Sequence, residues 1–374
     1  MTIEFIDLKA QQNRLSEQIN SGIETVLAHG KYVMGPEVRQ FEKELATFGR
    51  AKYALGCANG TDALMLALMA WDIGPRDAVF CPSFTYCATA EVIAVFGATP
   101  IFVDVDRKTY NLDVESLKRA IVDVKRQGKL IPRAIIAVDI FGQSADYPKI
   151  QTVAKNENLK LISDSAQGFG STLNGKHPLH WADLTTTSFF PAKPLGCYGD
   201  GGAILTDNNE DRDVLDSLRI HGKGKDKYDN IRIGLNSRLD TLQAAILLPK
   251  LGVFSDEIEH RNKVANRYID GLKGHVLRVP HILNGVISTW AQFTIEVDAP
   301  IDFADKMKNK GIPTARYYPK PVHTQQAYRH FPRAGNGLPN TEDCMDSIIS
   351  LPMHPYLDED TQDIIIEVAK SAVR

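Results

Sequence analysis

The sequence predicts an α/β fold, in which a mostly parallel sheet is flanked by helices and followed by a smaller α+β region. Three observations predict it. Residues 1–50 have a helical pattern, and residues 53–206 alternate short apolar runs with helical segments. Near residue 238 this alternation gives way to long helical segments, followed by a mixture of helices and strands. Strands that alternate with helices are joined by right-handed crossovers, which makes neighbouring strands parallel. We therefore expect a large α/β domain over residues 1–250, including the N-terminal helical segment, and a small domain over residues 251–374.

Two helices are predicted in the N-terminal segment. The first covers residues 8–27, where apolar residues are spaced among polar ones. A loop over residues 30–35 follows, and Pro36 begins the second helix because proline suits the first helical position. The apolar side chains of the second helix recur on one face; they are Val38, Phe41, Leu45 and Phe48.

Seven short apolar runs predict the strands of the sheet. They are residues 53–57, 78–81, 100–105, 134–140, 159–163, 184–189 and 203–206. Helices are predicted between them, up to residue 71 and over 86–96, 114–127 and 146–157. The smaller region has predicted helices at 240–251, where Pro249 would introduce a kink, 257–272, 302–310, 341–350 and 358–372, with strands at 292–297 and near 314.

The composition excludes several classes of protein. Of 374 residues, 43% are hydrophobic and 24% are charged, which is typical of a globular chain. The 43 Lys and Arg against 46 Asp and Glu leave a net charge of −3, which argues against nucleic acid as the main partner. We find no signal-peptide pattern and no apolar run of membrane length. The five cysteines are scattered, so we expect a cytoplasmic protein without disulfides or a metal site.

Three loops follow strands of the predicted sheet, at the edge where open parallel sheets bind ligands. Gly60 and Thr61 begin a helix, so they form either a phosphate site or a plain N-cap. Asp164 follows a buried strand and would either meet a cationic ligand group or cap the next turn. Lys193 lies among apolar and small residues, and it is either a reactive amine or a solvated charge.

The three loops together indicate a cofactor. Pyridoxal phosphate needs a lysine for its Schiff base, a carboxylate beside its ring nitrogen and a seat for its phosphate. The loops contain these groups in one α/β region, at Lys193, Asp164 and Gly60–Thr61. The three groups together indicate this cofactor far more specifically than any one of them does alone.

Several blocks of the sequence resemble the DegT/DnrJ family of sugar-nucleotide aminotransferases, which are fold-type I pyridoxal phosphate enzymes. The blocks are residues 58–64 (ANGTDAL), 82–86 (PSFTY), 164–167 (DSAQ), 188–193 with its lysine, 199–202 (GDGG) and 236–245. The resemblance extends from residue 6 to residue 356. It implies an aminotransferase whose large domain has a mostly parallel seven-stranded sheet, followed by a smaller C-terminal α+β domain.

The resemblance also implies roles for individual residues. Lys193 would form the Schiff base and carry the proton, and Asp164 would hold the proton of the pyridine nitrogen. The other cofactor-binding residues would be Gly60, Thr61 and Ser188 at the phosphate, Gln167 beside the ring hydroxyl, Tyr86 on the ring face and Asn236. Because Asn236 would reach the phosphate held by a neighbouring subunit, a homodimer with shared active sites is implied.

One branch of the family implies a substrate. Residues 189–203 and 236–250 are similar to the branch that aminates UDP-2-acetamido-2-deoxy-3-oxo-D-glucuronate at C3 for O-antigen or capsule sugars, with L-glutamate as the amino donor. Arg238 would bind a carboxylate, either of the sugar or of glutamate. The other implied substrate contacts are Lys31, Tyr32, Tyr317, Tyr318 and His323. Tyr317 stands where the family usually has histidine, which bears on specificity rather than on the reaction.

Other functions stay open at this point. The substrate could instead be a dTDP-3-keto-6-deoxyhexose or a 4-keto sugar nucleotide. Lys193 argues against the dehydratase branch, in which histidine replaces the lysine. A regulator that binds the cofactor without catalysis is disfavoured, because no helix-turn-helix domain is left over and the net charge is −3. Histidines without metal-ligand spacing argue against a metal enzyme.

Overall fold

The computed structural model describes residues 3–226 and 228–373. Its α-helices, α1–α11 in chain order, are Leu8–His29, Pro36–Phe48, Gly60–Ala70, Ala88–Val95, Val114–Gln127, Tyr147–Glu157, Asn209–Leu218, Thr241–Leu272, Pro300–Asn309, Pro339–Cys344 and Glu359–Ala372. Its strands, β1–β11, are Tyr53–Cys57, Asp77–Pro82, Thr99–Val103, Ile131–Val138, Lys160–Asp164, Thr172–Leu173, Leu184–Ser188, Gly202–Thr206, Val286–Ile287, Phe293–Glu296 and Ile348–Leu351.

Seven strands form one sheet in the order β1-β8-β7-β5-β4-β2-β3. β8 runs antiparallel to β1 and β7, and the other neighbours are parallel. The predicted mostly parallel seven-stranded sheet is therefore confirmed, and all seven predicted apolar runs contribute a strand to it. Gly202 pairs with both Cys57 and Ser188, and Asp164 pairs with Thr186. The ends of β1, β5 and β7 therefore meet at one edge of the sheet.

Local sequence signals explain why a helix such as α5 forms where it was predicted. The side chain of Asp113 accepts a hydrogen bond from the Ser116 backbone N–H at 2.6 Å, which satisfies a free donor at the N-terminus. Gly128 ends the helix with a φ of 65°, a left-handed conformation that glycine adopts without strain. Leu117 and Ile121 are fully buried and fix the face that packs on the sheet.

Two regions of the chain each have a buried apolar core. In the first, Phe80 and Ile135 of the sheet are fully buried between the flanking helices. In the second, Phe293 and Ile349 pack with Ile365 of α11. This arrangement agrees with a large α/β part followed by a smaller α+β part. The proposed boundary at residue 250 stays a prediction.

The segment around Pro249 differs from the prediction. We expected two helices, at 240–251 and 257–272, but α8 is one continuous helix that contains the proline. Proline lacks a backbone N–H and costs a helical hydrogen bond. Because α8 packs against α1 and α2 and buries Leu247 and Phe254, tertiary packing offsets this loss.

The predicted helix near 341–350 is correct in its first part and wrong in its second. α10 ends at Cys344, and Ile348–Leu351 forms β11, which pairs antiparallel with β10 so that Phe293 lies opposite Leu351. Ile348 and Ile349 are β-branched and favour a strand once a partner strand is available. The predicted strand near residue 314 is reduced to one bridge between Ala315 and Ser350. No helix of the described chain is long and apolar enough to cross a lipid bilayer.

A buried carboxylate, Asp139, follows the end of β4. It accepts hydrogen bonds from the Tyr147 hydroxyl (2.7 Å), the Ser165 hydroxyl (2.5 Å) and the Ala145 backbone N–H (3.0 Å). Burial raises the pKa of Asp139 to about 7, although these hydrogen bonds oppose the shift. The carboxyl group therefore titrates near neutral pH in the folded chain.

Replacing Asp139 with Asn is expected to flatten the pH dependence of the free energy of unfolding. An unfolded aspartate ionises near roughly pH 4, whereas folded Asp139 keeps its proton up to about pH 7. The folded state binds more protons in that window, so this stability is complete below the window and is lost as pH rises through it. The loss is at most about 1.4 kcal/mol per pH unit. Urea denaturation of the cofactor-free protein across this range measures it, and parallel wild-type and Asp139→Asn curves would contradict it.

Candidate active site

Lys193 lies in the loop after β7, at the edge of the sheet where β5 also ends. Its backbone N–H donates to the Phe190 carbonyl at 2.8 Å, which closes a tight turn. Among the described residues, its side-chain amine forms no hydrogen bond or ion pair. Burial lowers the pKa of the Lys193 amine, and the charge of Asp164 partly opposes this shift. A lysine with a lowered pKa is more often neutral, and the neutral amine accepts protons and attacks carbonyl carbons.

Asp164 ends β5 and faces the same space, and we call Lys193 and Asp164 the lysine–carboxylate pair. The Thr89 hydroxyl donates to Oδ2 of Asp164 at 3.0 Å, and the Ala166 backbone N–H donates to Oδ1 at 3.2 Å. Burial raises the pKa of Asp164, while these two bonds and the charge of Lys193 lower it. A buried carboxylate held in this way attracts a cationic group of a ligand.

The N-terminus of α3 forms an anion seat close to the pair. The side chain of Asn59 caps the helix by accepting a hydrogen bond from the Asp62 backbone N–H at 2.8 Å. The N–H groups of Gly60 and Thr61 have no acceptor within the helix, and the helix dipole favours an anion there. A Cβ atom on Gly60 would lie 2.6 Å from the Cβ of Ser188, so glycine allows the helix to touch the end of β7. These residues can converge on one phosphate.

Gln167 connects this region to an aromatic wall, formed by Tyr86 and Tyr318. Its Oε1 accepts from the Phe141 backbone N–H at 2.7 Å, and its Nε2 donates to the Tyr318 hydroxyl at 2.9 Å. The rings of Tyr86 and Tyr318 lie 6.2 Å apart between centroids. Tyr86 is 57% exposed, so its ring is available to a ligand. The structure thus brings Tyr318, a predicted substrate residue, beside two predicted cofactor residues.

The remaining predicted polar residues lie on two neighbouring segments. The carbonyl of Tyr32 accepts a hydrogen bond from the Thr241 backbone N–H at 3.0 Å, which places the loop with Lys31 beside the start of α8. Arg238 donates to the side chain of Asn236. Within the described chain, no hydrogen bond joins these side chains to the lysine–carboxylate pair. Their predicted contacts with ligands stay predictions.

His323 lies in a buried polar network. Its Nδ1 is 2.6 Å from the Ser83 hydroxyl, and its Nε2 is 3.1 Å from Oε1 of Glu342. Only 5% of the residue is exposed. Since both ring nitrogens have protein partners, this placement favours a structural role over the predicted substrate contact.

Tyr317 packs against the aromatic wall. Its ring centroid lies 5.8 Å from that of Tyr318 and 6.3 Å from that of Phe5. The peptide bond between Tyr317 and Tyr318 is cis. The residue that departs from the family pattern therefore neighbours the side chain bonded to Gln167, where it can affect the shape of a substrate site.

Thr89 is a site residue that sequence reasoning missed. It lies in α4, where it is 1% exposed and donates to Asp164. A buried hydroxyl requires a partner, so a threonine among the mostly apolar residues of this helix was a usable signal. No sequence signal identified the partner, which lies 75 residues away along the chain.

The pair, the anion seat and the aromatic wall fit pyridoxal phosphate. This cofactor requires an amine, a carboxylate for its ring nitrogen and an anion site. All three meet at the edge of an open α/β sheet where such folds bind ligands. Across residues 3–226 and 228–373, no cluster of His, Cys, Asp and Glu could hold a metal ion. The fold and the site are those of a fold-type I pyridoxal phosphate enzyme.

The chain belongs to the DegT/DnrJ/EryC1/StrS aminotransferase family, whose profile matches residues 13–370. The resemblance found in the sequence is therefore confirmed. It covers the anion seat, the lysine–carboxylate pair and α8 in a single match.

Individual relatives agree with this assignment. The chain is 46% identical over 356 residues to the UDP-2-acetamido-2-deoxy-3-oxo-D-glucuronate aminotransferase of Pseudomonas aeruginosa, covering 95% of this chain and 96% of that protein. A DegT/DnrJ/EryC1/StrS aminotransferase from Brucella abortus matches with a TM-score of 0.98 and 48% identity, covering 99% of each chain. NtdA from Bacillus subtilis, solved with bound cofactor PMP, matches with a TM-score of 0.89 and 31% identity, covering 100% of this chain and 85% of that one.

Proposed function

We propose that this protein transfers the amino group of L-glutamate to the C3 keto group of UDP-2-acetamido-2-deoxy-3-oxo-D-glucuronate, with pyridoxal phosphate as cofactor. The product would be a 3-amino sugar nucleotide for O-antigen or capsule polysaccharide. The observation that supports amino-group transfer is the lysine–carboxylate pair beside the anion seat. The 46% identity to the Pseudomonas aeruginosa enzyme supports the choice of substrate.

The lysine–carboxylate pair performs the proton chemistry. When bound, pyridoxal phosphate holds the amino group between the two substrates and delocalises the electron pair left on a carbon that loses its proton. Nζ of Lys193 would accept the proton from the α-carbon of glutamate and deliver it to the former aldehyde carbon of the cofactor, on the other side of the transferred nitrogen. Burial favours the neutral amine that this step needs, because it lowers the pKa of Lys193. Asp164, oriented by Thr89, keeps the ring nitrogen protonated.

The anion seat and the aromatic wall hold and orient the cofactor. The N–H groups of Gly60 and Thr61 and the hydroxyl of Ser188 bind its phosphate. Gln167 would contact the ring on its hydroxyl side, and Tyr86 would stack on the ring.

The active enzyme is proposed to be a cytoplasmic homodimer. Ile231 and Ile233, on the segment that leads to Asn236, are 56% and 91% exposed. If these two side chains are part of a contiguous apolar patch, a partner subunit would cover it. In the dimer, Asn236 would reach the phosphate of the cofactor held by the partner subunit. The absence of a disulfide among the five cysteines, all within the described residues, is typical of a cytoplasmic protein.

The substrate assignment predicts a preference for the uronate sugar. Arg238 would bind its carboxylate, while Lys31, Tyr32, Tyr317 and Tyr318 would contact the rest of the sugar nucleotide. A charge-assisted hydrogen bond contributes roughly 1.5–3 kcal/mol. We therefore expect kcat/KM to be about 10- to 100-fold higher for the 3-oxo-glucuronate than for UDP-2-acetamido-2-deoxy-3-oxo-D-glucose, which has CH₂OH in place of the carboxylate.

Formation of the 3-amino sugar with glutamate as donor, measured by mass spectrometry, tests this proposal. Arg238→Met should abolish the preference between the two UDP sugars if Arg238 binds the uronate. If Arg238 binds glutamate, the variant should lower kcat/KM for glutamate and leave the preference between the two sugars unchanged. Arg126→Met, which removes an exposed arginine of α5, is the matched control. Faster amination of a dTDP-3-keto-6-deoxyhexose or of a 4-keto sugar nucleotide would overturn the substrate assignment, and no amination of any sugar would overturn the function.

A further inference from the structure

Lys250 is a buried lysine outside the site residues described so far. It follows Pro249 in α8 and is 1% exposed. Its Nζ donates to the Gly196 carbonyl at 2.7 Å and lies 4.2 Å from the centroid of the Tyr198 ring. Burial lowers the pKa of Lys250 to about 8, and Glu257 opposes the shift. An ammonium group is costly to bury, so a lysine kept at this position requires an explanation.

The carbonyl that Lys250 binds belongs to the loop that carries Lys193. This loop is closed by two backbone hydrogen bonds, from Lys193 to the Phe190 carbonyl at 2.8 Å and from Cys197 to the Phe189 carbonyl at 2.7 Å. The chain folds back tightly at Gly196, where a Cβ atom would lie 2.5 Å from the Pro191 carbonyl oxygen. The position of Gly196 is therefore coupled to that of the lysine three residues earlier.

A second side chain of α8 holds Tyr198, the residue that follows this loop. Oε1 of Gln243 accepts from the Tyr198 backbone N–H at 2.9 Å, and its Nε2 donates to the Tyr198 carbonyl at 3.3 Å. Gln243 and Lys250 are seven residues apart, which places them on one face of the helix. Gln243 forms these bonds at an exposed site, whereas Lys250 is 1% exposed, and a charge-assisted hydrogen bond is stronger in a buried position.

We propose that Lys250 is a positioning residue, which holds the Phe189–Cys197 loop through the Gly196 carbonyl so that the Lys193 amine meets the aldehyde of pyridoxal phosphate. This inference rests on the proposed cofactor and on Lys193 as its covalent partner. Lys193 condenses with the aldehyde form of the cofactor and releases water, but it has no such reaction with pyridoxamine phosphate. A misplaced Lys193 should therefore weaken binding of the aldehyde form selectively.

The test compares the binding of the two cofactor forms to the full-length protein. Lys250→Met removes the donor and keeps an unbranched apolar chain. We expect its dissociation constant for pyridoxal phosphate to rise about tenfold, as for loss of one hydrogen bond to a charged group. The constant for pyridoxamine phosphate should stay within about twofold of the wild type. Lys250→Arg retains a charged donor and should restore most of the affinity for the aldehyde form.

The comparison distinguishes positioning from a general structural effect. Lys263→Met, which removes an exposed lysine on the same helix, should leave both dissociation constants unchanged. Equal weakening of both cofactor forms, or no weakening of either, would overturn the inference. If Lys250→Met does not fold, Lys250→Gln, which has a shorter neutral donor, is measured instead. The result is again judged by the change in the dissociation constant for pyridoxal phosphate relative to the change for pyridoxamine phosphate. Because neither glutamate nor a sugar is used, this test can fail while the amination assay succeeds, and the reverse also holds.

Discussion

Replacement of Lys193 by alanine is expected to abolish amino-group transfer while leaving the fold intact. The side-chain amine has no hydrogen-bond partner among the described residues, so its loss leaves no buried acceptor unsatisfied. General acid–base catalysis contributes about 10²- to 10⁴-fold, and loss of the covalent partner of the cofactor adds to this. We therefore expect the rate constant of the reaction with L-glutamate to fall by at least about 10³-fold.

The absorbance of the bound cofactor after addition of L-glutamate measures this rate directly, without a sugar substrate. Wild-type protein should convert its pyridoxal phosphate to pyridoxamine phosphate, and Lys193→Ala should not. Lys129→Ala removes an exposed lysine after α5 and should react like the wild type. Conversion by Lys193→Ala at the wild-type rate would show that another group moves the proton. An unchanged wild-type spectrum would point to another donor or to a function without transamination.

Replacement of Asp164 by asparagine is expected to give the second-largest loss. The amide is nearly isosteric, and its oxygen can still accept the hydrogen bond from Thr89 or from the Ala166 backbone. It lacks the negative charge that keeps the ring nitrogen of the cofactor protonated. Removing one preorganised electrostatic interaction of this kind costs about 10²- to 10³-fold in rate. We expect this reduction in the rate constant with L-glutamate.

A cofactor analogue separates the charge effect from a packing effect. N-methylated pyridoxal phosphate carries a permanent positive charge on its ring nitrogen, so it should restore part of the rate in Asp164→Asn but should not help the wild type. Asp77→Asn is the matched control. Asp77 is also a buried aspartate of the sheet, but it is the first residue of β2 and so lies at the edge of the sheet opposite to Asp164. A wild-type rate in Asp164→Asn with ordinary pyridoxal phosphate would remove Asp164 from the catalytic assignment.

The sequence could predict the elements whose signals are local. The helix Val114–Gln127 carries its cap, its stop signal and its apolar face within sixteen residues, and its predicted bounds agree with the structure. The strands of the large sheet are short apolar runs, and their pattern also lies within a few residues. The predictions were wrong where a distant partner decides the structure. Ile348–Leu351 becomes a strand because it pairs with β10, and α8 continues through Pro249 because α1 and α2 bury its apolar face.

The candidate site follows the same division. Gly60, Asp164 and Lys193 could be found from the sequence because each lies at or just after the end of a strand, and the carboxyl ends of parallel strands share one edge of a sheet. Their supporting contacts could not be found in this way. Thr89 bonds to Asp164, Tyr318 to Gln167 and Lys250 to Gly196. These contacts join residues 75, 151 and 54 positions apart, and no local pattern encodes them.

By itself, the sequence therefore determined the fold class, the family, the cofactor and the residues expected to react with it. Periodicity, turn residues and short motifs act over a few neighbouring positions, so they can be read without coordinates. Tertiary structure alone decided the burial of the Lys193 amine, the hydrogen bonds that orient Asp164, the enclosed place of His323 and the contact of Lys250 with the Phe189–Cys197 loop. The physical reason is that desolvation and hydrogen-bond geometry depend on every group that surrounds a side chain, and packing brings most of those groups from distant parts of the chain.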